Sequence, residues 1–301
     1  MELQKVILYY GFTPLPDPEA IRLWQHNLAA ELNLKGRILI AEHGINGTLG
    51  GNMSDLKKYV SATKKYQGFR NIDFKWSPGT GQDFPLLKVK VKDELVEFGL
   101  PIEFQVNEKG VINGGKHLKP YEVHKLVEER GDEVLFFDAR NRYEAKIGKF
   151  KSAIVSEVSH TRDFVAEIKS GKFDYLKDKP IVAYCTGGIR CEILSTVMVS
   201  RGFKELYQID GGIVRYAQKY GDDALWEGSL YTFDGRMTMD FSDHTVVIGE
   251  CEKCGGSTKQ FYNCEKISCH SLILLCDPCA VDKTNKGCTH ELVSRDTEMV
   301  G

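Results

Sequence analysis

Residues 180–192 read Pro180-Ile-Val-Ala-Tyr-Cys-Thr-Gly-Gly-Ile-Arg-Cys-Glu192, and this stretch decides the architecture of the middle of the chain. An apolar run of strand length ends at Cys185, a Gly-Gly loop leads to Arg190, and a helical pattern starts near Cys191. A short apolar run without alternation fits a strand covered on both faces, as in a parallel sheet. Similar runs flank it at Val134–Asp138, Ala153–Val155 and Leu206–Ile209. Helical patterns lie between them at Tyr121–Arg130, Thr161–Ser170 and Cys191–Arg201. The alternation predicts a parallel-sheet α/β domain over residues 114–220.

The loop also predicts chemistry. Between a strand end and a helix start, the amides of Thr186, Gly187, Gly188, Ile189, Arg190 and Cys191 can turn inward as an anion-binding nest. The helix N-terminus and Arg190 add positive charge, so Cys185 is expected to ionise readily and act as a catalytic thiolate, with Arg190 stabilising its charge. The competing reading is an inert cysteine packed at a strand end. The coincidence of strand end, Gly-Gly loop, arginine and helix start weighs against it. Cys191 reads either as the partner that resolves an oxidised or persulfidated Cys185 or as a packing residue of the first helical turn.

Upstream, apolar runs at Val6–Tyr10, Arg37–Ala41, Ile72–Trp76 and Leu86–Val91, with a turn and short strand in Gly44–Gly51, alternate with helical patterns. Those helices run over Pro18–Leu32 and from the candidate N-cap Ser54 to about Gln67. The βαββαβ order suggests a ferredoxin-like (acylphosphatase-like) α/β sandwich over residues 1–98. Residues 99–113 read as a Gly/Pro-containing linker.

Downstream, residues 221–301 form a small Cys-rich region holding seven of the nine cysteines. Cys251-x-x-Cys254 and Cys276-x-x-Cys279 have the spacing of a structural zinc site, and Cys264, Cys269, His270, Cys288 and His290 offer further ligands. One zinc ion, two zinc ions, or metal-free reduced thiols all fit that set. The segment has few apolar residues outside Leu272–Leu275, so a metal would supply folding energy that a small core cannot.

Of 301 residues, 40 are Lys or Arg and 42 Asp or Glu, a net charge of −2 that excludes a wholly basic nucleic-acid wrapper and leaves room for patches. Lys57, Lys58, Lys64 and Lys65 would share one helix face ahead of Arg70, and Lys88 and Lys90 one sheet face, with Tyr66 or Phe69 free to stack on a base if exposed. The same lysines also read as an ordinary solvated surface. The N-terminal residues lack a secretory pattern, and no run approaches the roughly 18–20 apolar residues of a membrane span, so a cytoplasmic protein without a membrane partner is expected. Reduced cytoplasmic thiols favour metal binding or catalysis over disulfides. There is no flavin, nicotinamide or haem motif, and no motif names an electron source or an oligomeric state.

The Cys185–Arg190 loop resembles that of the rhodanese superfamily. Four residues separate Cys185 from Arg190, where related phosphatases have five, a size suited to sulfur chemistry. Asp138-Ala-Arg-Asn-Arg-Tyr-Glu144 followed by Gly148–Ala153 is similar to a second superfamily signature, which implies that Asp138 and Arg140 brace the active face. Ile209-Asp-Gly-Gly212 is similar to its closing strand-turn. Together with Glu42-His-Gly-Ile-Asn-Gly-Thr48 and the Cys-rich tail, the whole chain resembles the bacterial rhodanese-domain tRNA uridine hydroxylases. That resemblance implies oxygen-dependent conversion of the anticodon wobble uridine of tRNA to 5-hydroxyuridine, with molecular oxygen as co-substrate and Cys185 essential. His43 departs from the Glu-Gly-Ile-Asn-Gly of many relatives and reads as a solvated turn residue. A sulfurtransferase carrying a persulfide on Cys185 shares every residue of the loop. A non-catalytic RNA- or protein-binding module is the third reading, and the intact loop speaks against it.

Overall fold

The computed structural model describes residues 3–99, 104–266, 269 and 271–287. Strand β1 (Gln4–Phe12) is followed by Asp17, whose carboxylate accepts from Ala20 N at 2.9 Å, and Pro18 sits at the start of α1 (Pro18–Glu31). This is a capped helix start with proline where its missing N–H costs nothing. There follow β2 (Lys35–Ala41), β3 (Gly44–Asn52), α2 (Met53–Thr63) and β4 (Asp73–Pro78), in the antiparallel order β4-β1-β3-β2 expected of a ferredoxin-like sandwich. A fifth strand, β5 (Leu87–Val91), adds at the edge parallel to β2. Tyr9, Ile38, Phe74 and Val89 pack in the core under the helices. The strand alternation therefore sends two cross-strand rows to the opposite face: Leu8, Thr48, Arg37 and Lys88, and beside them Tyr10, Asn46, Leu39 and Lys90.

Helix α2 ends at Thr63, short of the expected Gln67. Lys64 and Lys65 lie past its last turn, because the chain bends there to bury Phe69 completely against Trp24 and Tyr66. The four lysines thus do not share a helix face, and Phe69 offers no face to a base.

After a two-strand hairpin, β6 (Val106–Asn107) with β7 (Gly110–Val111), the central sheet follows. It is parallel in the order β11-β9-β12-β13-β8, from β8 (Lys116–Leu118), β9 (Leu135–Asp138), β11 (Ile154–Val155), β12 (Pro180–Tyr184) and β13 (Glu205–Ile209). Every residue of β12 is buried, as its unalternating sequence requires. Helices α3 (Pro120–Arg130), α5 (Asp163–Lys169) and α6 (Ile189–Ser200) occupy the expected stretches. The edge strand β8, the short α4 (Arg142–Ala145) and α7 (Gly212–Tyr220) were not evident in the sequence pattern. Helix α7 opens on two glycines, which mask a helix start.

Strand β14 (Trp226–Gly228) pairs with β10 (Gly148–Phe150) and buries Trp226 in the central core. The hairpins β15 (Leu230–Tyr231) with β16 (Thr238–Met239) and β17 (Phe261–Asn263) with β18 (Leu272–Leu274), then α8 (Asp277–Val281), complete the described chain. Among the described residues, no helix is long and apolar enough to cross a membrane.

His43 is not solvated, contrary to expectation. It is 8% exposed, stacked on Phe12 and edge-on to Phe104, and its Nε2 accepts from Leu95 N at 3.3 Å. Burial lowers its pKa to about 4, against a small opposing pull from Glu42. With a folded pKa below the unfolded value of about 6.5, the unfolded chain binds the proton first as pH falls. Stability is therefore complete above about pH 6.5 and declines toward pH 4, by up to about 3 kcal/mol from this group. Urea unfolding across that range should show the loss, and His43→Asn should flatten it; an unchanged pH slope in the variant would refute the assignment.

Candidate active site

Cys185 follows the last residue of β12 and is 1% exposed. The loop after it curls back so that Gly188 N donates to Cys185 Sγ at 3.1 Å. The turn requires Gly188 at φ +104°, a conformation that side chains avoid. The N-terminus of α7 locks the outer side, with Ile213 N donating to Cys185 O at 3.0 Å and Val214 N to Thr186 O at 3.1 Å. Burial opposes ionisation of Cys185, but the Cys191 side chain, the Arg190 charge and the amides of Cys191 and Arg190 outweigh it and bring the thiol to about 6. Cys191 is buried beside it and held well above the usual thiol range, by burial first and then by Cys185. At neutral pH these shifts favour a thiolate on Cys185 with the Cys191 thiol donating to it. Thr186 and Ile189 are half-buried at the surface of the loop.

Labelling of Cys185 by a small neutral alkylating reagent should therefore rise with a midpoint near pH 6, against about 8.5 for an ordinary cysteine. Peptide mass spectrometry across pH reads this directly, and a midpoint above about pH 8 would remove the thiolate from the description.

Arg190 does not point its charge at sulfur alone. Its guanidinium forms a bidentate pair with Glu144, Nη1 to Oε1 at 2.5 Å and Nη2 to Oε2 at 2.8 Å, and Nη2 also donates to Thr186 Oγ1 at 3.2 Å. Glu144 is fully buried in α4, where it also accepts from Asn141 N. Sequence reasoning missed this carboxylate. Its signal was the Asn141-x-x-Glu144 capping box, which marks α4 as a true helix start. The pair fixes the arginine, and through it the curvature of the loop.

Asp138 and Arg140 lie beneath the loop and do not touch sulfur. Both are fully buried, joined by Arg140 Nε to Asp138 Oδ1 at 2.8 Å and Nη2 to Oδ2 at 2.6 Å. Tyr184 Oη donates to Asp138 Oδ2 at 2.9 Å and Arg140 Nη2 to Gly148 O at 2.6 Å, so the pair ties β9, β10 and the residue before Cys185 together. Arg140 Nη1 has no hydrogen-bond acceptor, and its guanidinium carbon lies 5.3 Å from the Trp226 ring centroid and 5.7 Å from that of Tyr184. The aromatic faces take up part of the charge there.

The N-terminal domain also reaches the loop. Tyr10 Oη donates to Glu192 Oε1 at 3.0 Å, and His117 Nε2 lies 2.9 Å from the same oxygen. Lys75, 2% exposed, places Nζ 5.0 Å from the Tyr10 ring centroid and 3.2 Å from Asp73. None of these residues was singled out by sequence, since their partners lie in distant segments.

In the Cys-rich region, Cys251, Cys254, Cys276 and Cys279 bring their sulfurs within 4.8 Å of one another. A tetrahedral zinc with about 2.3 Å bonds needs sulfurs about 3.8 Å apart, and Cys254 Sγ to Cys276 Sγ is 3.6 Å. The cluster can hold a metal ion, with all four ligands from protein. Cys264 and Cys269 pack nearby in the same small core but outside the four-sulfur group. The remaining candidates for a second ion, His270, Cys288 and His290, lie outside the described residues.

Of the basic candidates, Lys57, Lys58, Lys64, Lys65, Arg70, Lys88 and Lys90 are all exposed. Lys57 and Lys58 sit on α2, which covers one sheet face, whereas Lys88 and Lys90 belong to the other, the face that carries Leu8 and Tyr10.

Comparison with known proteins finds three family models along the chain. Residues 4–95 match the family model "UPF0176 acylphosphatase like domain", residues 119–219 "Rhodanese-like domain", and residues 227–291 "Rhodanase C-terminal". A protein of Corynebacterium jeikeium (strain K411) named tRNA uridine(34) hydroxylase is 59% identical over 298 residues, covering 99% of this chain and 96% of that protein. One of Arthrobacter sp. (strain FB24) with the same name is 57% identical, covering 93% of this chain and 95% of that protein. These names do not favour the sulfurtransferase reading. With 59% identity across nearly the whole of both chains, this chain belongs to the tRNA uridine(34) hydroxylase family.

Proposed function

We propose that this chain hydroxylates C5 of the wobble uridine in the anticodon of tRNA, in the cytoplasm, with Cys185 as the catalytic nucleophile. The observation that carries the reading is Cys185 Sγ, held by the amides of Gly188, Arg190 and Cys191 beside the Arg190 charge, in a family member aligned over nearly its whole length. Uracil is poorly nucleophilic at C5. Addition of Cys185 Sγ to C6 forms an S–C bond and moves the ring π pair onto C5 and O4 as an enolate, which is nucleophilic toward an oxygen donor. After the C5–O bond forms, loss of the C5 proton expels the thiolate and restores the ring. Molecular oxygen is the co-substrate: one atom enters the product, and the other leaves as water with two electrons and two protons from a reductant. In this scheme Arg190, fixed by Glu144, holds the loop closed on sulfur and stabilises its charge. Thr186, Gly187, Gly188, Ile189 and Cys191 shape the nest, and Asp138 with Arg140 supports it from below. The division into residues 1–98, 114–220 and 221–301 around a linker at 99–113 follows the same roles. Cys251, Cys254, Cys276 and Cys279 hold a structural zinc ion, whose closed thiolate set fits support of the fold.

Nucleoside mass spectrometry of tRNA from a strain lacking the protein tests this. Wild type should restore the 5-hydroxyuridine-type wobble modification, labelled under ¹⁸O₂, and Cys185→Ala should restore none. Restoration by the variant would end the proposal.

A further inference from the structure

We propose that the RNA strand bearing the target uridine lies along the exposed Arg37–Lys88 side of the N-terminal sheet, on the face whose Leu8 meets the reactive loop. Arg37 and Lys88 contact its phosphates, and Phe233 stacks on the flipped base. The inference rests on the tRNA reading above and assigns the surface that would receive the RNA.

Two contacts show that this sheet face adjoins the reactive loop. A Cβ added at Gly187 would stand 2.7 Å from Leu8 Cδ2, and one at Gly188 2.7 Å from Tyr10 Oη. Leu8 begins the row Leu8, Thr48, Arg37, Lys88, whose residues pair side by side across four strands. With strands about 4.8 Å apart, Arg37 and Lys88 stand about 10 and 14 Å along the row from the residue that touches the loop. Side chains of that length can reach the backbone on either side of a nucleotide whose base is at Cys185. Lys90 continues the charge in the next row, beside Leu39. Lys57 and Lys58 are on α2 against the opposite face, a full layer away from sulfur.

Phe233 supplies the aromatic element. It is 49% exposed, yet its ring centroid is 5.6 Å from the Arg190 guanidinium carbon and 5.1 Å from Tyr231, edge to face. The turn that follows is clamped to the N-terminal domain. Gly235 N donates to Asp83 O at 2.8 Å, and Arg236 Nη1 to Ser77 Oγ at 2.9 Å and Pro78 O at 2.7 Å. A large apolar ring half open to water beside Arg190 of the reactive loop has surface to spare for a ligand. Bases stack on such rings regardless of identity, and a base must leave its stack to meet a buried nucleophile. Cations along a sheet with an aromatic at the chemical end match single-stranded RNA, in which phosphates and an unstacked base are presented together.

The test uses full-length Cys185→Ala protein, so that bound RNA is not turned over, and a fluorescent synthetic anticodon stem-loop carrying uridine at the wobble position. Arg37→Glu with Lys88→Glu should weaken binding at least about tenfold and lower the log–log salt slope by about 1.4, the loss of two single-strand phosphate contacts. Lys57→Glu with Lys65→Glu should change affinity by less than about twofold. Phe233→Ala should weaken binding about tenfold and Phe233→Trp should not, and the alanine effect should vanish on a stem-loop abasic at the wobble position. The proposal is overturned if the Lys57/Lys65 variant carries the loss, if Phe233→Ala weakens uridine and abasic RNA equally, or if the RNA does not bind. Product formation by the wild-type protein is scored separately. RNA bound as described but left unmodified would overturn the proposed activity and leave the surface standing.

Discussion

Cys276→Ser protein is expected to contain no stoichiometric zinc and to lose the structure of residues 251–281, with the N-terminal and central domains still folded. Cys276 contributes one of four clustered sulfurs, and three remaining thiolates leave an open, weaker site. The apparent free energy of a structural zinc is about 10–16 kcal/mol at neutral pH. The hydrophobic support around it is small, chiefly Cys251, Cys264, Ile273, Leu275 and Ala280. Metal analysis, together with limited proteolysis of the region, checks both parts; a variant that retains zinc or resists cleavage like wild type contradicts the assignment. Activity should also fall, by about tenfold. The region packs Phe261 and Leu274 against Ile147 and Tyr143 around α4, and Lys146 on the same segment pairs with Glu252 at 2.9 Å. Helix α4 carries Glu144, which fixes Arg190. Loosening the tail thus loosens the arginine that closes the loop.

Asp138→Ala should be the most damaging single substitution within the central domain. It leaves Arg140 fully buried without its carboxylate partner, and removing one member of such a pair costs about 3–5 kcal/mol. Tyr184 Oη loses its acceptor at the same time. Thermal unfolding should report a midpoint lower by about 10 °C, taking about 2–4 °C per kcal/mol for a domain of this class. The double variant Asp138→Ala, Arg140→Met should recover part of the loss, because the stranded charge is gone. If the single variant melted within about 2 °C of wild type, the buried pair would not be the brace it is taken for.

Much of this molecule is legible along the chain because its signals are local. The 180–192 stretch contains a strand, a turn and a helix start in contiguous residues, so Cys185, its amides and its ionisation can be read without knowing the fold. The two Cys-x-x-Cys pairs are also local, and their pairing into one cluster is the simplest way to complete four ligands. The βαββαβ pattern was readable from hydrophobic period, and the runs at Ile72–Trp76 and Leu86–Val91 are two separate strands, the second at the parallel edge.

Other readings depended on which surface each residue meets, and there period and composition misled. His43 sits in a Gly-containing turn that looks solvated, but Phe12 and Phe104 close over it. Phe69 follows a run of lysines, but is turned into the core. The two basic patches look equivalent in sequence, and only the alternation of β5 against a known core places Lys88 on the side of the reactive loop.

The sequence by itself determined the strand, turn and helix start around Cys185 and the two Cys-x-x-Cys pairs, since each is specified by neighbours a few residues apart. Tertiary structure alone decided that Glu144 holds Arg190, that Tyr10 of the first domain meets Glu192, and that Phe233 from beyond the central domain stands beside Arg190. These partners are separated by 46, 182 and 43 residues. No periodicity encodes such a pairing. It arises when burial of apolar faces brings the domains together and the remaining charges and rings must find partners at the seam.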